Sequence, residues 1–137
     1  MSVKITKKQM DINEKIARDI LAFLKNKYCW EDICIFFNNK AWSSNKTWSV
    51  FKGELIEEAY EDKHGMPING VYEYTEIDSP TQWTIYANEH TLTLVFDGVF
   101  YDWINYYGNT EDFSKILEKY NAYYEQGEAF NLSIYFN

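Results

Sequence analysis

Between residues 6 and 25, Ile12, Ile16, Ile20 and then Phe23 or Leu24 recur three or four residues apart, which is the period of a helix with one buried face. Thr6 followed by Gln9 matches a capping box, although Lys7 and Lys8 oppose the helix macrodipole. Beyond this first helix the period changes. Trp30 to Phe37 is a run of β-branched and aromatic residues, Asn38-Asn39 is a turn signal, and Thr47 to Phe51 has weaker strand character, so a first hairpin is predicted. In residues 54–63, Leu55 with Ala59 and Ile56 with Tyr60 fit one face of a short helix ended by Gly65, and the same residues would also prolong a strand. The helix is the reading adopted.

The middle of the chain predicts a meander. Val71 to Ile77 follows the Asn69-Gly70 turn, Trp83 to Ala87 follows Asp78-Ser79-Pro80, and Leu92 to Phe96 joins Val99 to Tyr106 through Asp97-Gly98. Leu92, Leu94 and Phe96 fall on one face of their strand, with Thr91, Thr93 and Val95 on the other. A second helix is predicted to begin after Asn109 or Thr110, with Glu111 and Asp112 favourably placed in its first turn. It would bury Phe113, Ile116, Leu117, Tyr120 and Tyr124 before Gly127 ends it. Phe130 to Phe136 reads as a final strand. This order predicts a single α+β domain over residues 1–137, without repeat or linker, whose mostly antiparallel sheet carries the helices on one face.

Composition supports a globular chain. Among 137 residues, 46% are hydrophobic and 19% aromatic while proline occurs twice, which excludes a disordered or fibrous class. A domain of this size buries roughly 68% of the surface its unfolded chain exposes. Met1 to Gln9 carries lysines without a following apolar run, and no segment approaches the roughly 20 apolar residues of a membrane span, so the expectation is a soluble, cytoplasmic protein. Cys29 and Cys34 lie in an apolar run and read as reduced core residues.

Charge changes the picture more. Residues 1–52 hold ten Lys/Arg against five Asp/Glu, a net of +5, whereas residues 53–137 hold three Lys against sixteen Asp/Glu, a net of −13. No Lys or Arg occurs between Lys63 and Lys115, while Glu73, Glu76, Asp78, Glu89, Asp97, Asp102, Glu111 and Asp112 are interleaved there with Tyr, Trp and Phe. Such a surface repels nucleic acid and anionic membrane and suits a basic protein partner. If 54–63 is helical, Glu54, Glu57, Glu58 and Glu61 share one face as an acidic ridge, and like charges at that spacing cost a little stability. Simple solvation of a surface helix explains the same run. Tyr72, Tyr74, Tyr86, Tyr101, Tyr106 and Tyr107, with Trp83 and Trp103, exceed the needs of one sheet face, so some should project outward.

Motifs for catalysis are scarce. The chain has no GxGxxG, phosphate loop, HExxH or CxxC, so no cofactor and no metal are expected. His64, in Lys63-His64-Gly65, suits a helix end, and His90 stands beside Glu89 at a strand start, where a carboxylate would raise its pKa. Neighbours on a strand point to opposite faces, which weakens that second case. Asp97 and Asp102 would be paired carboxylates across one hairpin, yet Asp97 is explained by the turn itself. No catalytic residue is assigned.

With its single domain, acidic second half and the aromatic stretch Thr91-Leu92-Thr93-Leu94-Val95-Phe96-Asp97-Gly98-Val99-Phe100-Tyr101-Asp102-Trp103, the chain resembles the heterogeneous class of small acidic bacterial immunity proteins that neutralise nuclease toxins. The resemblance implies binding to a basic cognate toxin and occlusion of its active site, without direct contact to nucleic acid or membrane, by a monomer or weak dimer. The +5 first segment departs from a uniformly acidic inhibitor. The expected contact residues are Glu57, Glu58, Glu61, Asp62, Asp78, Asp102, Trp103 and Tyr106. One alternative is a phage-type nucleic-acid mimic acting on a defence nuclease. Another is an enzyme or small-ligand binder with an aromatic pocket between sheet and second helix, using His90 or His64 as base. A concave pocket lined by one of those histidines and a carboxylate favours that last reading, and a flat or convex acidic face favours inhibition. Self-association through an aromatic patch or an edge strand is compatible with any of these.

Overall fold

Thr6 caps the first helix, α1 (Lys7–Asn26), its side chain accepting the Gln9 backbone N–H at 3.1 Å. The computed structural model describes residues 6–48, 51–75 and 91–137. After α1 the chain enters β1 (Ile33–Phe37) and turns through Asn38 and Asn39 into β2 (Lys40–Ser43). Both asparagines have left-handed φ, 50° and 60°, as the two-residue hairpin turn matched to strand twist requires. The turn was legible, but the partner strand is Lys40–Ser43 rather than the Thr47 to Phe51 segment. That segment forms a separate ribbon of β3 (Thr47–Trp48) and β4 (Phe51–Lys52). The weaker strand character of Lys40-Ala41-Trp42-Ser43 hid it, although Ala41, Trp42 and Ser43 are all buried.

The following strands are β5 (Glu54–Glu57), β6 (Tyr60–Glu61), β7 (Pro67–Ile68), β8 (Val71–Tyr74) and β9 (Thr93–Phe96). Next come α2 (Val99–Asp102), which runs into a π-helical turn at Trp103–Tyr107, and α3 (Thr110–Glu118). The chain ends with β10 (Ala122–Gln126) and β11 (Asn131–Phe136). Seven strands form one sheet in the order β10-β11-β9-β1-β2-β8-β5, antiparallel at every pairing. The fold is α+β, as the order of elements predicted. Ile16, Ile20 and Leu24 of α1 and Phe113 and Leu117 of α3 pack on Ile33, Ile35, Leu94, Phe96, Leu132 and Ile134 from one face of the sheet. On the other face Cys34, Phe36, Ala41 and Tyr74 form a smaller cluster with Trp48, Tyr72 and Val95 beside it. Leu94 and Phe96 thus part from Val95 as their alternation predicted.

Three expectations fail for physical reasons. Residues 54–57 and 60–61 form strands, not a helix: Glu54 and Leu55 pair with Glu73 and Tyr72 of β8, and this sheet pairing outweighs the like-charge contact it sets up between Glu54 and Glu73. The Asp97-Gly98 hairpin is absent, because Gly98 lies at φ −103°, ψ −136° and starts α2. A Cβ there would stand 2.6 Å from the Glu31 carbonyl oxygen, so this glycine serves a close approach of two backbones instead of a turn. Buried Phe100, Trp103 and Ile104 carry the helical spacing that the Asp97-Gly98 turn signal masked. Finally, α3 stops at Glu118, because Asn121 adopts a left-handed φ of 55° and feeds β10, so Tyr124 reaches Phe113 from a strand (5.2 Å, edge-on). The Trp83 to Ala87 strand lies outside the described residues.

The end of α3 is tied to α1 through Asp19. Tyr120 donates its hydroxyl to Asp19 Oδ2 at 2.5 Å, and Lys119 stands 3.2 Å from the same oxygen. The hydrogen bond first, then burial and the Asp19 charge, push the Tyr120 phenol up to about 12. The fold therefore favours the protonated phenol. Its contribution to stability is complete below the ordinary tyrosine value near 10 and is lost as pH rises through about 12. Burial and neighbouring groups also raise the phenols of Tyr28, Tyr74, Tyr101 and Tyr107, so ultraviolet titration should show several late-ionising tyrosines, of which one returns toward the ordinary range in Asp19→Asn. An unchanged titration curve in that variant would break the assignment.

Candidate functional site

A short acidic and aromatic ledge follows the ribbon. β5 is the last strand of the sheet, and its four residues Glu54, Leu55, Ile56 and Glu57 are all exposed. Leu55 and Ile56 keep 46% and 42% of their surface open, unusual for adjacent large aliphatic residues. A bulge between Leu55 and Glu57 ends regular pairing with β8, and the chain continues through exposed Glu58 into the β6–β7 hairpin. Asp62 organises that hairpin. Its Oδ1 accepts the backbone N–H of His64 and of Met66, each at 2.9 Å, and Gly65 takes a φ of 76° that favours glycine. Tyr28, just past α1, donates its hydroxyl to Asp62 Oδ2 at 2.5 Å. That bond and then the backbone N–H groups hold the Asp62 carboxyl below its usual range, while the same bond raises the Tyr28 phenol.

Between this ledge and α1 runs an open groove of about 850 Å³. Leu21, Ala22 and Ile68 contribute apolar lining, Arg18 and Lys25 come from the helix, and Glu57, Tyr60, Glu61, Asp62, Lys63 and His64 come from the ledge. Lys25 crosses the groove, 3.0 Å from Glu57 and over the Tyr60 ring at 5.6 Å. The structure therefore brings Glu57, Glu61 and Asp62 together, with Glu58 beside them, but as an extended ledge and not as a helical ridge. The groove itself is charge-balanced, lined by Arg18 and Lys25 from α1 and by Lys63 beside Glu57, Glu61 and Asp62 on the ledge.

The charge asymmetry is partly spent within the fold. Lys25–Glu57, Lys27–Asp112 (3.7 Å) and Lys40–Glu73 (3.9 Å) each join a cation of the first segment to a carboxylate of the second. Among the described residues, Glu54, Glu58, Glu61 and Asp102 have no ion-pair partner. Asp97, Glu111, Glu118, Glu125 and Glu128 are exposed and equally unpaired among the described residues, so what marks the ledge is that its free carboxylates stand beside exposed Leu55, Ile56 and Tyr60.

A second exposed patch surrounds the π-helical turn. Tyr106 and Tyr107 are 75% and 64% exposed, next to exposed Asp102. Trp103, expected as a contact residue, is instead buried at 7%, stacked on Phe100 (5.6 Å) and edge-on to Phe23 (5.4 Å). The π turn explains the exchange of roles: it rotates Trp103 inward and Tyr106 and Tyr107 outward. A Cβ on Gly108 would lie 2.2 Å from the Trp103 ring, so the chain closes directly over the indole. Asp78 and His90 lie outside the described residues. Leu55, Ile56, Tyr60 and Met66 are exposed residues that the sequence did not mark as contacts, while Tyr107 is one of the aromatic residues of which some were expected to project outward. For Leu55 and Ile56 the discarded strand reading of 54–63 was the available signal.

Chemistry is thinly represented. Among the described residues no group of His, Cys, Asp and Glu is arranged to hold a metal ion. Both cysteines are free and buried. Burial, partly opposed by Lys27, pushes the Cys29 thiol up to about 11, and burial, partly opposed by a bond to Ser43, pushes Cys34 well up. Both thiols should resist alkylation by iodoacetamide at neutral pH until the protein is unfolded; rapid native labelling of either would show that its burial is wrong. No helix among the described residues is long and apolar enough to cross a membrane. No family model matches the chain, and comparison with curated proteins and with solved structures found no match for either.

Proposed function

We propose that the protein is a non-enzymatic inhibitor, of the immunity-protein kind, that binds a basic protein such as a nuclease toxin and covers its active site. The observation that carries this reading is the ledge of residues 54–61, where unpaired Glu54, Glu58 and Glu61 flank exposed Leu55, Ile56 and Tyr60. Carboxylates at the rim steer a cationic partner, and apolar and aromatic side chains supply the desolvated centre. Tyr106, Tyr107 and Asp102 repeat this composition at the π turn.

Capture from a lysate of the source cell at low and high salt, with this protein as bait, tests the reading. A basic protein retained at low salt, partly released at high salt, and inactivated by one equivalent of this protein would support it. Retention of nothing, or a captured protein whose activity is unchanged, would remove it.

A second reading is favoured by one observation: the groove beside α1 is concave and lined by His64 with carboxylates. Its volume of about 850 Å³ is in the range of small-ligand pockets. Two of its carboxylates are, however, already engaged, Glu57 by Lys25 and Asp62 by Tyr28 and two backbone N–H groups, and His64 is exposed. Inhibition is therefore preferred. Ligand screening by thermal shift separates the two readings, since only the pocket reading expects a small molecule to raise the melting temperature and His64→Ala to abolish the effect.

A further inference from the structure

We infer that the partner contributes an extended, lysine- or arginine-bearing segment that adds to the sheet as a strand beside β5, an inference that rests on the inhibitor reading above. The sheet ends at β5, so among the described residues no strand covers its outer edge, and an edge strand presents backbone N–H and C=O groups ready for pairing. The side chains along that edge select what may pair. Glu54 and Glu57 bracket Leu55 and Ile56, with Glu58 next and Glu61 on the following hairpin.

A second copy of this chain is a poor occupant. Antiparallel pairing of β5 with itself, centred on Leu55 and Ile56, would set Glu54 opposite Glu57 of the other copy, and like charges directly opposite are destabilising. A neutral strand would leave Glu54 without compensation for lost water, whereas Glu57 keeps its bond to Lys25. Because Ile56 is the extra residue of the bulge, Glu54 and Glu57 return to one face of β5 and Leu55 lies on the other, so a strand alternating cationic and apolar residues would set cations against the carboxylates and an apolar side chain against Leu55. The bulge between Leu55 and Glu57 limits the available edge to a few residues, so a short segment suffices. Charges and bulge together guard the edge against self-association while leaving it open to a strand of opposite sign.

Two short synthetic peptides of equal charge decide the matter, one alternating lysine with valine and the other lysine with alanine and methylated at every backbone nitrogen, which removes the N–H groups needed to pair. Both are titrated into the full chain at low ionic strength by calorimetry and followed by amide NMR. Strand addition expects the valine peptide to bind at least about tenfold tighter. It also expects backbone contacts between that peptide and residues 54–57, and loss of binding in the Glu54→Lys, Glu58→Lys double variant. Equal binding of both peptides without backbone contacts at β5 would overturn strand addition and leave charge-steered inhibition standing. Binding of neither peptide, with the fold intact, would overturn both.

Discussion

Phe100→Ala should destabilise the protein by about 3–5 kcal/mol, read as a lower midpoint in chemical denaturation with tyrosine and tryptophan fluorescence. Phe100 is fully buried and packs on three other aromatic rings: edge-on to Phe96 at 4.8 Å, stacked on Trp103 at 5.6 Å and tilted to Phe113 at 5.7 Å. Truncation leaves a cavity lined by rigid rings that cannot collapse into it, which places the cost toward the upper part of that range. Four residues after Phe100 the helix has passed into the π turn, so the same variant tests whether α2 is a packed element. Tyr106→Ala, at the exposed end of the turn, should change the stability by no more than about 0.5 kcal/mol. A loss under about 1 kcal/mol for Phe100→Ala would show that the aromatic cluster is not the core of this end of the domain.

Reversing three charges on the ledge should have the opposite signature, a large kinetic effect and little effect on stability. The variant Glu54→Lys, Glu58→Lys, Glu61→Lys replaces carboxylates that are exposed and have no ion-pair partner among the described residues, so no internal bond is lost. Glu57 is left alone, because its bond to Lys25 at 3.0 Å ties the ledge to α1. Against the captured basic partner, association at low salt should slow by about tenfold or more, and the difference from wild type should shrink as salt screens the field. Circular dichroism and melting temperature should stay near those of the wild type. Unchanged association at low salt would take the ledge out of the mechanism, whatever the equilibrium affinity does.

How much of this was legible in the chain depended on whether one period ruled a segment. The Ile12, Ile16, Ile20 stripe has only one interpretation, and α1 follows it. Asn38-Asn39 fixed a turn because both residues tolerate positive φ. The segment Val99 to Ile104 satisfies two periods at once, the strand alternation of Val99, Tyr101 and Trp103 with Phe100, Asp102 and Ile104 and the helical spacing of Phe100, Trp103 and Ile104. Asp97-Gly98 tipped the choice wrongly, since the glycine was needed for the approach of Glu31 and not for a hairpin. The ledge failed in the other direction. Leu55, Ala59, Ile56 and Tyr60 have helical spacing but no core to face, and backbone pairing with Tyr72 and Glu73 decided the outcome. Of the expected contact residues, the carboxylates Glu57, Glu58, Glu61 and Asp62 cluster because they are close in sequence. Trp103 and Tyr106 could not be sorted into buried and exposed without knowing that a π turn lies between them. The intramolecular pairing of Lys25, Lys27 and Lys40 with Glu57, Asp112 and Glu73 was hidden for the same reason, since it depends on contacts distant in sequence.

The most direct test is amide hydrogen exchange of the protein alone and with the captured basic partner at saturating concentration. The inhibitor account predicts slowed exchange in residues 54–61, with a second protected stretch at 102–107. Protection confined to other parts of the chain, such as β10 and β11, with both stretches exchanging as in the free protein, would contradict it.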